Sequence, residues 1–257
     1  MVVFIFLCID NMISEKCSAL TKALAPFDNQ KCEDKTVPLP MKPCNYLLSA
    51  RKGGGKTNLI LSILMRKESP WYKHFDLIFV FSPTAMNDDK MKPLLEDIGD
   101  QFYTDLTNEN MLEVIAKCEA YTDRHKRKKK KGKPIYCIIY DDCIHQIKTK
   151  RASEITRLVT QNRHIAGGIT NIFSLQKYNS IPTIIRANLD CISFFHTENE
   201  HELDTFVKEV GNEEKIRALY TFATATPYSF LHINMYSQPT RYYRKFDPIE
   251  YKPAKKE

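Results

Sequence analysis

Three groups of side chains have the types and spacing to act on the phosphates of a nucleotide. The first is Ala50-Arg51-Lys52-Gly53-Gly54-Gly55-Lys56-Thr57, which fits G-x-x-x-x-G-K-[ST] apart from Ala50 at the first glycine. Alanine is tolerated there if the position keeps a negative φ. Glycines 53 to 55 let backbone amides close on phosphates, Lys56 reaches the β and γ phosphates, and the Thr57 hydroxyl is a ligand for Mg²⁺. With Asn58, residues 50 to 58 form the expected nucleotide-contacting segment. The second group is Asp141-Asp142. Asp141 is expected to hold the Mg²⁺ hydration shell beside Thr57, and Asp142 to orient an attacking water or accept its proton. The third is Gln176, whose amide is able to hydrogen-bond both a γ-phosphate and a lytic water. Each has a plain structural alternative: a flexible Lys/Gly turn, an Asp pair capping the next helix, and an ordinary strand-end glutamine.

The segments around these residues are the ones such chemistry needs. Tyr46-Leu47-Leu48 reads as a short strand entering the glycine-rich loop. Leu59, Ile60, Ile63 and Leu64 recur at helical spacing after it, up to about Pro70. Strand, loop and helix N-terminus in that order make an anion site. Phe75 to Phe81, Ile135 to Tyr140 and Ile169 to Leu175 are continuous apolar runs, as strands buried on both faces are. Carboxylates at the end of such a strand emerge where open α/β sheets bind ligands. Helices are expected near 88–98, 108–121, 152–163 and 200–209, with further strands at 101–103 and 191–196 and an alternating one at 228–235. This α/β order predicts a largely parallel central sheet flanked by helices.

The chain has 257 residues and a formal net charge of +7, enough to bury a full core and suggestive of a polyanionic partner. Residues 124–133 carry eight cationic side chains in ten. They read as an exposed loop, for DNA phosphates, for nuclear import or merely for solvent. The cysteines at 8, 17, 32, 44, 118, 137, 143 and 191 show no metal-like spacing, and several lie in apolar runs, as reduced intracellular thiols do. The apolar opening Val2 to Ile9 is too short to span a bilayer and lacks a basic flank. It is expected to be a strand or a protein contact, and no membrane span is expected elsewhere. Residues 1–43 read as an N-terminal arm, 44–236 as the nucleotide-binding domain, and 237–257 as a basic, aromatic tail in which Arg241 to Phe246 reads as an edge strand, with stacking on nucleic acid as the alternative.

With these motifs in place, Arg163-His164, the strand to Gln176, Ile181-Pro182 and Ile185-Arg186-Ala187-Asn188 complete an ordered set over residues 44–196. That set resembles the poxvirus-type genome-packaging ATPases of the FtsK–HerA superfamily, found in large DNA viruses, virophages and related elements. The resemblance implies a RecA-like P-loop NTPase of the ASCE type that uses ATP and Mg²⁺. It implies a homo-oligomeric ring driving double-stranded DNA into a preformed capsid, with a capsid or portal partner, inside an infected cell. Lys56, Asp141, Asp142 and Gln176 then take the catalytic roles, and Thr57 and Asp141 the metal. An arginine finger for the neighbouring subunit is also implied, worth about 10³ to 10⁵ in rate; Arg186 is the first candidate and Arg163 the second, and either is equally able to be a structural ion pair.

Three other readings stay open. Lys52 gives the loop some similarity to ParA/MinD-type partition ATPases, although the lysine is one position off and the second half does not match. A helicase of related fold lacks a visible motif set. A non-enzymatic, nucleotide-binding DNA tether has no use for Gln176.

Overall fold

The computed structural model describes residues 13–15, 37–129, 131–147 and 153–253. The apolar opening, the cysteines at 8, 17 and 32, and Lys130 lie outside the described residues. In chain order the elements are β1 Ile13–Glu15, β2 Asn45–Ser49, α1 Lys56–Met65, β3 Leu77–Phe81, α2 Lys92–Ile98 and β4 Phe102–Tyr103, then α3 Asn108–Arg127, β5 Tyr136–Asp141, α4 Ile144–Ile147, α5 Glu154–Thr160 and β6 Ile169–Leu175. They continue with α6 Thr183–Arg186, β7 Cys191–Phe195, α7 Glu200–Val210, α8 Glu213–Ala223, β8 Phe230–Asn234, β9 Arg241–Arg244 and β10 Asp247–Tyr251.

Among the described residues the strands form one sheet in the order β1-β10-β9-β8-β7-β2-β6-β5-β3-β4. From β7 to β4 every pairing is parallel, and from β7 to β1 every pairing is antiparallel. β2 and its neighbours β6 and β5 are buried throughout. Their residues alternate between two cores: Leu47, Ile138 and Tyr140 face one, with Val114 and Phe206 of the helices, while Tyr46, Leu48 and Ile139 face the other, with Ile60 and Leu64. Two covered faces explain the continuous apolar runs. Each large side chain fully buried in this way contributes about 1.5–3 kcal/mol.

Four expectations need correction. The basic block is not wholly a loop, because α3 continues through Arg127 and takes up its first four residues; their cations sit in the helix's last turn, where its dipole favours them. The strand at 228–235 is not half-exposed. His232 and Asn234 give the sequence its alternation, yet both are buried, because they bond to the chain at Val37 and Pro38. Arg241–Arg244 is a strand, as expected, but not an edge, since β8 lies on one side and β10 on the other. The segment set apart as a tail therefore carries two strands of the same sheet. Helix α8, which no reading of the sequence singled out, packs against α7 and β8.

Candidate nucleotide site

The parallel topology brings the C-terminal ends of β2, β6 and β5 side by side. Ala50 leaves β2 with its amide bonded to the Leu175 carbonyl at 3.1 Å, and its φ lies outside the left-handed region, as its replacement of glycine required. The loop then turns tightly, Gly54 N donating to Arg51 O at 2.9 Å. Gly54 is there for space: an added Cβ would stand 2.9 Å from the Ala50 Cβ and 3.0 Å from the Arg51 carbonyl. Gly55 caps α1 with a φ of 103°, a conformation that favours glycine, so the free amides of the first turn open toward the cavity.

That cavity measures about 640 Å³ and is lined by Lys52 through Asn58, by Asp141, Asp142 and Gln176, and by Thr84, Asn87, Asp88, Lys90 and Tyr228. The predicted groups meet there except for Ala50 and Arg51, which line a neighbouring cavity instead. Lys56 is 8% exposed; its Nζ donates to the Ala50 carbonyl at 2.8 Å. Burial lowers its pKa, against the opposing pull of Asp142 and Asp141. Asp141 is buried at the end of β5 and accepts from Ser82 Oγ at 3.4 Å. Burial raises its pKa first of all, and nearby Asp142 adds to that while Lys56 opposes it. The buried Ser174 hydroxyl lies close to Asp141 and favours the charged form of its carboxylate. Asp142 has a φ of 51°, uncommon for a residue with a side chain and a form of strain that gathers at functional sites. Gln176 Nε2 donates to both Asp142 carboxylate oxygens at 3.4 Å.

The two arginines are placed elsewhere and are already engaged. Arg186 is 12% exposed and pairs with Glu209 at 2.8 Å. It also donates to Ile181 O and Thr183 Oγ1 and lies over the Tyr178 ring. Arg163 pairs with Asp190 at 3.0 Å and lies over Tyr236. Asp190 immediately precedes β7 and accepts from Asn45 N at the start of β2, so Arg163 stands at the N-terminal end of the parallel strands, opposite the glycine-rich loop. The geometry therefore favours the ion-pair reading of both.

One buried carboxylate was missed. Glu202 accepts from Tyr178 N, from Thr197 Oγ1 at 2.9 Å and from Ser49 Oγ at 3.4 Å. It thereby ties the residue before the loop to the turn that follows Gln176. Nothing local in the sequence marks it beyond its place three residues after Asn199, which caps α7. Tyr228 and the Thr84–Lys90 stretch were missed as well, since no motif contains them.

The metal expectation can be weighed on the donor set. Thr57 and Asp141 offer hard oxygens suited to Mg²⁺, which keeps several waters and is seldom caged by protein alone. Among the described residues no cluster of three or more His, Cys, Asp or Glu side chains could hold a metal ion. The fit is to an ion shared with phosphate and water. Among those residues, too, no helix is long and apolar enough to cross a membrane. The described cysteines, Cys44, Cys118, Cys137, Cys143 and Cys191, are free and buried.

The architecture recurs in solved structures. The genome packaging NTPase B204 from Sulfolobus turreted icosahedral virus 2, in complex with ATP-gammaS, is 17% identical with a TM-score of 0.52, over 80% of this chain and 98% of that one. The DNA-packaging ATPase B204 from Sulfolobus turreted icosahedral virus is 19% identical with a TM-score of 0.56, over 79% and 98%. The pCW3 conjugation coupling protein TcpA is 13% identical with a TM-score of 0.54, over 86% and 70%. At such identities the likeness shows the fold, a P-loop NTPase sheet with flanking helices. No curated protein matches the chain. A family model for the poxvirus A32 protein matches residues 35–226, a span that contains the loop, both aspartates and Gln176. The chain belongs to the poxvirus A32 protein family.

Proposed function

We propose that this protein is an ATP-hydrolysing motor that moves double-stranded DNA into a preformed capsid within an infected cell. The observation that carries the proposal is the gathering of Lys56, Thr57, Asp141, Asp142 and Gln176 around one cavity at the ends of three adjacent strands. Lys56 and the loop amides hold the β and γ phosphates. Asp142 and Gln176, already in contact, orient the attacking water between them, and Asp142 takes its proton. Thr57 and Asp141 would hold Mg²⁺, which would supply charge to offset that building on the phosphate oxygens. A DNA substrate is supported by the relatives' role in packaging and by the cationic end of α3. Because α3 runs back from β4 to the start of β5, that end lies at the N-terminal end of the strands, opposite the phosphate loop. Nucleotide and DNA are thus assigned to opposite ends of the strands.

The ring and a capsid or portal partner belong to the same proposal. Neither Arg186 nor Arg163 is carried forward as the finger between subunits, given their internal ion pairs. The test is ATP hydrolysis at high protein concentration with and without linear double-stranded DNA. Hydrolysis is expected to rise with DNA and to fall on the order of 10² to 10³-fold in Lys56→Ala. Added Lys56→Ala subunits should poison the parent beyond their share if the copies fire in a ring. Turnover indifferent to DNA sinks the translocase, strand separation points to a helicase, and nucleotide binding without turnover points to a tether. Neutralising Lys128, Lys129, Lys131 and Lys133 should flatten the salt dependence of DNA binding, each lost phosphate contact taking roughly 0.9 from the slope. An unchanged slope removes the basic segment from the DNA path.

A further inference from the structure

Tyr228 is the most exposed large apolar side chain among the described residues, at 70%. It sits in the turn between α8 and β8, and its φ of 60° is one that bulky residues rarely adopt. The turn is closed around it by Ser229 N donating to Thr226 O at 3.1 Å and by a 2.6 Å bond between the Thr226 and Ser229 hydroxyls. The fold thus holds an aromatic ring out in solvent on an uncommon backbone.

Its position supplies a reason. A Cβ built on Gly55, at the head of α1, would stand 3.7 Å from the Tyr228 ring. A second cavity, of about 620 Å³, opens on the β8 side of the phosphate loop between Phe195, His196 and the 224–229 turn. Lys52, Gly53, Gly54 and Tyr228 line both cavities, and Tyr228 is the one of these that lies outside the loop. A nucleotide bound at the loop has its triphosphate among amides and cations and must put its base beyond them, beside the loop. Asp141, Asp142 and Gln176 line the first cavity only, whereas Phe195, Pro227 and Tyr228 give the second an apolar wall beside Glu198.

We propose that Tyr228 is the platform on which the nucleobase stacks, with the base in the second cavity and the phosphates in the first. This rests on the nucleotide-binding reading above and adds its specificity. Stacking reads the face of a base, which every base has, so the site ranks bases by ring size, purines above pyrimidines.

The test is equilibrium binding of three probes, a non-hydrolysable ATP analogue, the corresponding CTP analogue and inorganic tripolyphosphate, to the parent, Tyr228→Phe, Tyr228→Ala and Lys56→Ala. Tyr228→Phe keeps the ring and should bind all three as the parent does. Tyr228→Ala should weaken the ATP analogue roughly 5- to 100-fold, the range set by stacking of one base, and the CTP analogue less. Tripolyphosphate, which has no base, should bind unchanged. If Tyr228→Ala binds the ATP analogue like the parent, the platform is withdrawn. If it weakens tripolyphosphate equally, Tyr228 is a brace for the Gly55 turn instead and the proposal falls. Lys56→Ala should weaken all three probes; full binding there overturns the phosphate site itself, a failure distinct from that of the platform.

Discussion

Two buried polar clusters share the middle of the sheet and are built on opposite terms. Around His232 every polar atom is matched. The ring nitrogens meet Ser193 Oγ and Pro38 O at 2.9 Å each, Ser193 meets Tyr46 Oη at 2.7 Å, and Asn234 Nδ2 donates to Pro38 O at 3.0 Å. The groups are neutral, and they sew the segment before β2 onto β7 and β8. At the nucleotide site the groups are charged. Lys56 turns to a backbone carbonyl, Asp141 and Asp142 stand adjacent, and Asp142 adopts a strained φ. Burial pushes Lys56 and Asp141 toward their neutral forms. A matched neutral network stabilises a fold, whereas a charged cluster arranged for a ligand costs stability until the ligand arrives.

The largest effect that tests this contrast is Lys56→Ala. Hydrolysis should fall on the order of 10² to 10³-fold, as when one preorganised donor to a transition state is removed. The thermal midpoint should hold or rise, because a buried cation has gone. A marked drop in midpoint would mean that Lys56 serves the fold and would erase the difference between the clusters. Asp142→Asn comes next. Asparagine accepts the left-handed backbone as aspartate does, so the site should keep its shape and its nucleotide affinity while the rate drops about 10²-fold with the loss of the proton acceptor. A rate within a factor of two of the parent would strip Asp142 of its role. Gly54→Ala is expected to lose nucleotide affinity through crowding against Ala50 and Arg51, since a loop displaced by about 1 Å misplaces every donor it carries. Binding that survives would show that the Ala50 methyl gives way.

The contrast also explains what could be read from the sequence. The loop, Asp141-Asp142 and Gln176 sit at strand ends, and each announces itself within a few residues, so local pattern is enough to pick them out. His232 and Asn234 are read against local pattern only as polar positions of a half-exposed strand. Their partners lie 194 and 197 residues away, and no window of sequence spans that separation. The ion pair of Arg186 was hidden for the same reason, because Glu209 is 23 residues further on in another helix. Glu202 joins three strand ends that only the folded topology makes neighbours. What was legible in the candidate site was its chemistry; what was hidden was the long-range bonding that positions it.

The smallest expected effect probes the matched cluster. Burial depresses the His232 pKa to about 4, against the opposing pull of the Pro38 carbonyl. An unfolded histidine protonates near 6.5, so between these two values the unfolded chain binds a proton that the folded one refuses. The sign follows directly: stability is full above about pH 6.5 and falls as the pH drops toward 4, by about 1.4 kcal/mol per pH unit for this group. Urea unfolding at pH 7 and at pH 5.5 should therefore show the parent losing about 1 kcal/mol more than His232→Gln across that interval, although the variant is the less stable protein at pH 7. The nucleotide site predicts no such difference, since its groups do not touch His232. Parallel pH profiles for parent and variant would mean that the imidazole is charged in the fold, and the neutral side of the comparison would collapse.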